Sequence, residues 1–388
     1  MPKRFRRFSL AVSSLVLWGC AEAKSTQDDH AQWSLAARPL LDIGDDETGS
    51  HESAGDVSGA TRLIDGSVIV ADRESSSLKV FSAGGKLLRS VGRAGQGPGE
   101  FARLNTMLRC GDSLYVFDGG TRKYNVFSLD GVLRRQFVLT GPAPGDFAYR
   151  TACNAQGVLI NYGWDLLRDL PKQSGVTRTS VPYWLSKPDG TVLANLGRFS
   201  SSERWATVTA TVSGTGPLPL GKQPVVAAGH SRVYVGLADS FAIDVFGLDG
   251  TRQRTIQRPS VVRRATSTDV ERFKLLDTAG RSQRDNAATV KAWKAMQFAQ
   301  TLPPYSALVV DVYDHLWVRV FPGADETTAA WIIFSPDGVA IAHIALPLAL
   351  EVAEVGADYV LGTETQVHTG IKRVKVFRLT RTRTSSLP

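Results

Sequence analysis

The side chains best able to do chemistry in this sequence are six histidines, a recurrent set of aspartates and three cysteines. A catalytic zinc needs three protein ligands and one open position. The histidines do not offer that pattern. His30 and His51 precede the first strong strand pattern, His230 and His315 fall in short polar turns, and His343 lies inside a strand. Only His368, in a loop near Glu364, could reach a shared surface with other polar groups. Asp72, Asp118, Asp165 and Asp239 each follow a dense apolar run at comparable positions. Carboxylates so placed cap a turn by accepting backbone N–H bonds, or they converge as oxygen ligands for calcium. Capping is the expected role, which leaves calcium as the one cofactor candidate and no metal ligand or catalytic residue assigned. No Gly-x-Ser-x-Gly elbow, Walker loop, dinucleotide fingerprint or His-Glu-x-x-His motif is present.

The elements that must position these groups begin after a distinctive N-terminus. Lys3, Arg4, Arg6 and Arg7 precede an apolar run from Phe8 to Trp18, then Gly19 and Cys20. A basic segment followed by about ten apolar residues is the pattern of a secretory signal. The run is short of the roughly 20 apolar residues a spanning helix needs. Leu17-Trp18-Gly19-Cys20 resembles the lipobox of bacterial lipoproteins, although Trp18 stands where that family has a small or aliphatic residue. The resemblance implies cleavage before Cys20 and acylation of that cysteine, with several acyl chains anchoring the protein. Ala21 after the cysteine implies the outer membrane. The plain alternative is a cleavable signal in which Cys20 is incidental.

Removing residues 1–19 also removes four basic side chains, so the formal charge falls from +8 to +4. A charge that small over so long a chain is no nucleic-acid footprint. Residues 21–30 are small or polar and read as a tether. The remaining composition, 43% hydrophobic and 21% charged, is that of a globular protein with ample core.

That globular part repeats one phrase, an apolar pair followed by a tight glycine turn. Its copies are Val80-Phe81-Ser82-Ala83-Gly84-Gly85, Val126-Phe127-Ser128-Leu129-Asp130-Gly131, Trp184-Leu185-Ser186-Lys187-Pro188-Asp189-Gly190, Val245-Phe246-Gly247-Leu248-Asp249-Gly250 and Ile333-Phe334-Ser335-Pro336-Asp337-Gly338. A sixth, Val376-Phe377-Arg378-Leu379, lacks the turn. Asp-Gly between apolar segments is a hairpin signal, because glycine takes a positive φ without steric penalty. A dense apolar strand precedes each copy, as at 67–71 and 113–117. Dense runs indicate strands covered on both faces. The unit is four strands, A to D, repeated six times, and radially packed four-stranded sheets make a β-propeller. The expected fold is all-β and six-bladed, with the unpaired segment 33–43 closing the last blade.

Gly92-Arg93-Ala94-Gly95-Gln96-Gly97-Pro98-Gly99-Glu100-Phe101 and Leu114-Tyr115-Val116-Phe117-Asp118 resemble an NHL-type repeat. Together with Leu302-Pro303-Pro304-Tyr305 and Leu316-Trp317-Val318, they make the chain similar to bacterial six-bladed propeller lipoproteins. The expected organisation is a signal at 1–19, a tether at 20–32, a propeller at 33–381 and a tail at 382–388.

Turn-glycine spacings of 46, 59, 60 and 88 residues show where the blades are enlarged. A compact unit needs about 40–45 residues. The excess falls at 163–182, 198–224 and 257–304, all of them B–C or D–A connections, which open on one face. Long loops on a rigid scaffold are where binding usually resides. The largest insertion, 258–304 in blade five, has helical grammar: Thr268-x-x-Glu271 fits a capping box, and Val290, Trp293 and Met296 share one side. It is expected either to plug apolar surface or to act as a lid with Trp293 and Trp205 beneath it. The candidate binding face is therefore Asp72, Asp118, Asp165, Asp239, Trp205, Trp293, Glu364 and His368. Cys110 and Cys153 end equivalent inner strands of adjacent blades, where either a disulfide or two buried thiols would fit.

The expected function is non-catalytic: a lipid-anchored, extracytoplasmic module binding an envelope protein, peptide or glycan, and no nucleic acid. The alternative is a propeller hydrolase or lyase with an oxygen-ligated metal near the axis. Cys20→Ala should shift the protein from the detergent phase to the aqueous phase on Triton X-114 partitioning and remove incorporated palmitate. Equal partitioning of the two forms would leave Cys20 incidental.

Overall fold

The computed structural model describes residues 31–44, 54–163, 173–209, 213–278, 283–366 and 369–382. Blade one is Val57–Arg62, Val68–Asp72, Ser77–Phe81 and Leu87–Val91; blade two is Leu104–Cys110, Ser113–Asp118, Lys123–Ser128 and Leu133–Phe137. Blade three is Ala148–Cys153, Leu159–Gly163, Ser180–Ser186 and Val192–Ser200. Blade four is Val225–Ala228, Arg232–Gly236, Ala242–Gly247 and Arg252–Gln257. Blade five is Tyr305–Val310, Leu316–Val320, Thr328–Phe334 and Ala340–Pro347, and blade six starts with Leu350–Val355, Tyr359–Thr365 and Lys372–Thr380. All these neighbours pair antiparallel. Strand A of each blade lies against strand A of the next, and strand A of blade six returns to that of blade one. The result is a closed ring of sheets, a β-propeller.

The recurring phrase does two jobs in blades one, two, four and five, and the first of them in blade three as well. Its glycine turns the chain at φ between 83° and 88° in Gly85, Gly131, Gly190, Gly250 and Gly338, a region that side chains with a Cβ resist. Its apolar pair marks a bulge, since C–D pairing shifts register at Val80/Phe81, Val126/Phe127, Val245/Phe246 and Ile333/Phe334. A bulge increases local twist, which lets flat-faced sheets pack radially. The core lies between blades: Ile69, Ala71 and Leu78 of blade one pack with Leu104, Val116 and Phe127 of blade two. Trp317 and Trp331 of blade five likewise pack with Val360 and Phe377 of blade six.

The two chain ends share the closing blade. Leu41–Ile43 pairs with Val374, Lys375 and Val376, and Ser34–Leu35 pairs with Leu379 and Thr380, both antiparallel. The outer strand is thus broken in two around Pro39, which has no N–H to donate and is tolerated at a sheet edge. Ordered pairing also starts earlier than residue 33, because Ala31–Gln32 adds in parallel to the outer strand of blade five.

A buried ion pair pins this junction. The Arg381 guanidinium lies over the Trp33 and Tyr313 rings at 4.6 and 4.8 Å. It donates to Gly356 O and Ala357 O, and its Nη1 is 2.7 Å from Asp311 Oδ2. The Asp311 side chain is fully buried and also accepts from Tyr313 N, His315 N and Trp317 Nε1. Burial alone would raise its pKa, but hydrogen bonds from His315, Arg381 and Trp317 outweigh burial and hold the carboxyl below its usual range. A second tie joins blades two and three, where Cys110 and Cys153 form a disulfide with Cα atoms 5.6 Å apart.

Asp311→Asn should lower unfolding free energy at pH 7 by about 3–5 kcal/mol, since it leaves Arg381 buried without its counter-charge. A depressed carboxyl pKa stabilises above about pH 4 and loses that contribution as pH falls through the folded value. The gap between variant and wild type in urea unfolding should therefore be wide at pH 7 and shrink as pH falls below about 4; a gap that does not change with pH would acquit the charge. For the cysteines, intact mass under non-reducing conditions should show no alkylatable thiol at 110 or 153. Cys110→Ala/Cys153→Ala should destabilise by about 2–4 kcal/mol through the freed unfolded chain.

Candidate functional site

The enlarged connections build one face of the ring. Gly175–Thr177 from the blade-three B–C connection pairs with Arg204–Val208, which pairs in turn with Ser213–Pro217 from the following D–A connection. This accessory three-stranded sheet replaces the loops expected there. Arg178 fastens it to blade four, donating from Nε to Ser201 O and from Nη2 to Leu237 O and pairing with Asp239.

Between blades four and five lie two helices, α1 (Ser267–Thr278) and α2 (Gln283–Ala295). The capping box of α1 is Thr266 with Asp269, two residues earlier than Thr268-x-x-Glu271. Asp269 N donates to Thr266 Oγ1 at 3.2 Å, and the Asp269 carboxylate accepts from Thr266 N at 2.8 Å. The shorter aspartate reaches because Thr266 already sits at the end of a closed neck. That neck is zipped by Ala265 N to Gln300 O and Leu302 N to Arg263 O, and Ala299 N bonds Pro219 O of the other insertion. Arg272 then holds α1 over the B–C loop of blade five through Gly323 O, Ala324 O and Glu326 O.

These ties border a cleft of about 280 Å³ at the junction of blades four and five. Its floor is the start of two inner strands, Val225 in blade four and Tyr305 and Ser306 in blade five. One wall is Pro217, Leu218, Pro219, Leu220, Gly221 and the polar Gln223; Phe321 and Pro303 form the other, and Phe273 of α1 reaches in. The Tyr305 hydroxyl is spoken for, donating to Ala242 O at 2.8 Å and accepting from Ala238 N at 3.0 Å. Burial pushes that phenol well above its ordinary pKa, so it presents a neutral ring to the cleft. Ser306 differs. It is the residue bulged out where A–B pairing steps from Tyr305 to Ala307, and its Oγ is buried without a hydrogen-bond partner. Buried hydroxyls are normally bonded.

The residues expected on this face scatter. Asp72 is 1% exposed and accepts from Asp56 N, Glu74 N and Ser75 Oγ, with Lys79 Nζ at 2.9 Å. Asp118 is equally buried, bonded by Ala102 N, Arg103 N, Gly120 N and Thr121 Oγ1. Burial would raise both carboxyls, and these bonds keep both low. They hold the D–A connection that enters the same blade and leave no lone pair for a ligand. Asp239 is used by Arg178, and Glu364 pairs with Lys375 Nζ at 2.7 Å. Trp205 is half-buried in the accessory sheet and Trp293 half-buried in α2; neither lines the cleft, whose aromatic groups are Phe273, Tyr305 and Phe321. Cys20, Asp165 and His368 lie outside the described residues. Among the described residues no three His, Cys, Asp or Glu side chains gather as a metal-ligating group, so the calcium and metal-hydrolase readings have no ligand set there. Sequence pattern missed Ser306 because a serine in a strand carries no signal; the marker was Leu302-Pro303-Pro304-Tyr305, which sets where the inner strand begins.

The ring and its one built-up face define an all-β propeller. A family model described as 6-bladed beta-propeller (DUF5128) matches residues 54–150, which span blades one and two and the first residues of blade three. A search of curated protein sequences finds no match. Among solved structures, a DUF4221-family protein from Bacteroides vulgatus is similar at 10% identity, with 91% of this chain and 100% of that one covered and a TM-score of 0.49. The PQQ-bound aldose sugar dehydrogenase of Streptomyces coelicolor is similar at 11% identity, covering 90% and 99%, with a TM-score of 0.45. Virginiamycin B lyase from Staphylococcus aureus is similar at 9%, covering 88% and 98%, with a TM-score of 0.39.

Proposed function

We propose that this protein is a non-catalytic binding module of the cell envelope, with six blades, held by lipid at Cys20 and binding its ligand on the face that carries the insertions. The observation that carries this reading is the cleft at the junction of blades four and five. Three separate connections converge there, each fastened by backbone or arginine hydrogen bonds, around a pocket with mostly apolar walls. Ligand pockets are concave, mostly apolar and supplied with few polar groups. The helical insertion serves as a fixed roof, contributing Phe273. The extracytoplasmic placement is supported by the Leu17-Trp18-Gly19-Cys20 motif and by a disulfide, which persists in an oxidising compartment.

Wild-type protein should enhance the fluorescence of the neutral apolar dye N-phenyl-1-naphthylamine. Leu218→Trp, which fills the cleft, should weaken that response at least tenfold while far-UV circular dichroism and Tm stay unchanged. Dye binding indifferent to Leu218→Trp and to Phe273→Ala would remove the cleft as the binding site.

A further inference from the structure

Resting on the reading that a lipid holds this protein at a membrane, we propose that the helical insertion is a second membrane contact, a basic and apolar surface that docks on a bilayer rich in anionic phospholipid. Charge singles it out. Residues 258–304 carry nine basic and four acidic side chains, a net +5, whereas the rest of the chain from Cys20 onward nets −1. Of the four acids, Asp269 is buried in the α1 cap and Glu271 pairs with Lys274 Nζ at 2.8 Å. The blade-five loop held by Arg272 adds the exposed Asp325 and Glu326, and the two segments together remain at +3.

Apolar side chains stand in water among these cations. Val261 and Val262, just before the neck, are 88% and 72% exposed, and Leu275, Leu276 and Val290 are exposed as well. Among the α2 side chains described, the exposed ones are Ala287, Val290, Lys291 and Lys294, a spacing that puts them on one helix face. The core of a protein–protein interface is enriched in aromatic side chains and depleted of lysine. Here the exposed apolar groups are aliphatic and lysines lie among them, which suits a lipid surface. Apolar groups enter the acyl boundary while lysine and arginine stems lie along it and carry their charges to the headgroups. The insertion is also fastened before contact, by the neck and by Arg272, so docking costs little ordering. The anchor is compatible with this contact. Ala31 joins the outer strand of blade five, the blade on which α1 rests. Eleven positions separate Ala31 from Cys20, against the eight residues of Ala340–Pro347 that cross that blade from face to face.

The test puts a fluorescent label on either side of the ring in the full chain, with Cys20 present and with Cys20→Ala. Leu275→Cys carries it on the insertion, and Ile64→Cys carries it in the exposed A–B turn of blade one, on the opposite side. Cys110 and Cys153 are bonded to each other and do not react. In vesicles of equimolar phosphatidylcholine and phosphatidylglycerol containing spin-labelled lipid, the label at 275 should be quenched and the label at 64 should not. Pure phosphatidylcholine, or molar salt, which shortens screening to about 3 Å, should abolish the difference. Lys291→Glu/Lys294→Glu should weaken quenching at 275 by roughly tenfold, at an unchanged Tm. Quenching as strong at 64 as at 275 would overturn the surface, and quenching at 275 indifferent to salt and to the two glutamates would overturn its electrostatic basis. A label at 275 shielded from iodide in isolated membranes yet unquenched by anionic vesicles would assign the surface to an acidic protein and sink the lipid contact. The anchor is judged separately: an unacylated chain still quenched at 275 keeps the surface without it, and an acylated chain unquenched there keeps the anchor alone.

Discussion

A ring of separate sheets must complete its last blade to close, and here the requirement falls on two short stretches of chain more than 300 residues apart. Leu41–Ile43 and Ser34–Leu35 supply the outer strand to Lys372–Thr380. Each inter-blade cluster depends on that closure, since every sheet is covered by a neighbour on both faces. Backbone pairing alone would leave the junction as the weakest seam, with its edge interrupted at Pro39. The Asp311–Arg381 pair reinforces it from below, where the guanidinium is gripped by two rings, two carbonyls and a carboxylate. Removing the carboxylate leaves a largely buried cation without the counter-charge it has now.

The ring also explains why chemistry and repetition separate. Aspartates recur at the ends of the second strands because the same loop must be held to each blade, and at Asp72 and Asp118 four donors use the oxygens fully. A repeated polar residue in a repeated fold is first a structural device. The groups that line the cleft are those the repeat does not specify: a phenylalanine from an inserted helix and a proline-rich turn. They meet because two insertions are laced to each other and to the blade-five loop, and not because any of them recurs.

This difference governs how much was legible in the residues themselves. Glycine turns with apolar pairs marked the blades, since a hairpin turn needs a positive φ and a buried strand needs a dense apolar run. The enlarged face was equally readable from the turn spacing. What pattern could not supply was packing between insertions. Arg204–Val208 found strand partners from two different loops, and the start of α1 was set by Thr266 at the closed neck rather than by the Thr268 motif. Trp205 and Trp293 drew notice as large aromatics, yet the cleft is floored by strand starts and roofed by Phe273. Local grammar names helices and turns; which side chains converge is decided by long-range ties such as Ala299 to Pro219.

The parallel pairing of Ala31–Gln32 with Ala342 and His343 has a geometric consequence. The outer strand of blade five starts at the Gly338 hairpin, on the trimmed face, so the chain enters the fold at the rim of that face. Ala31 thus lies on the plain side of the ring, opposite the face on which the cleft opens.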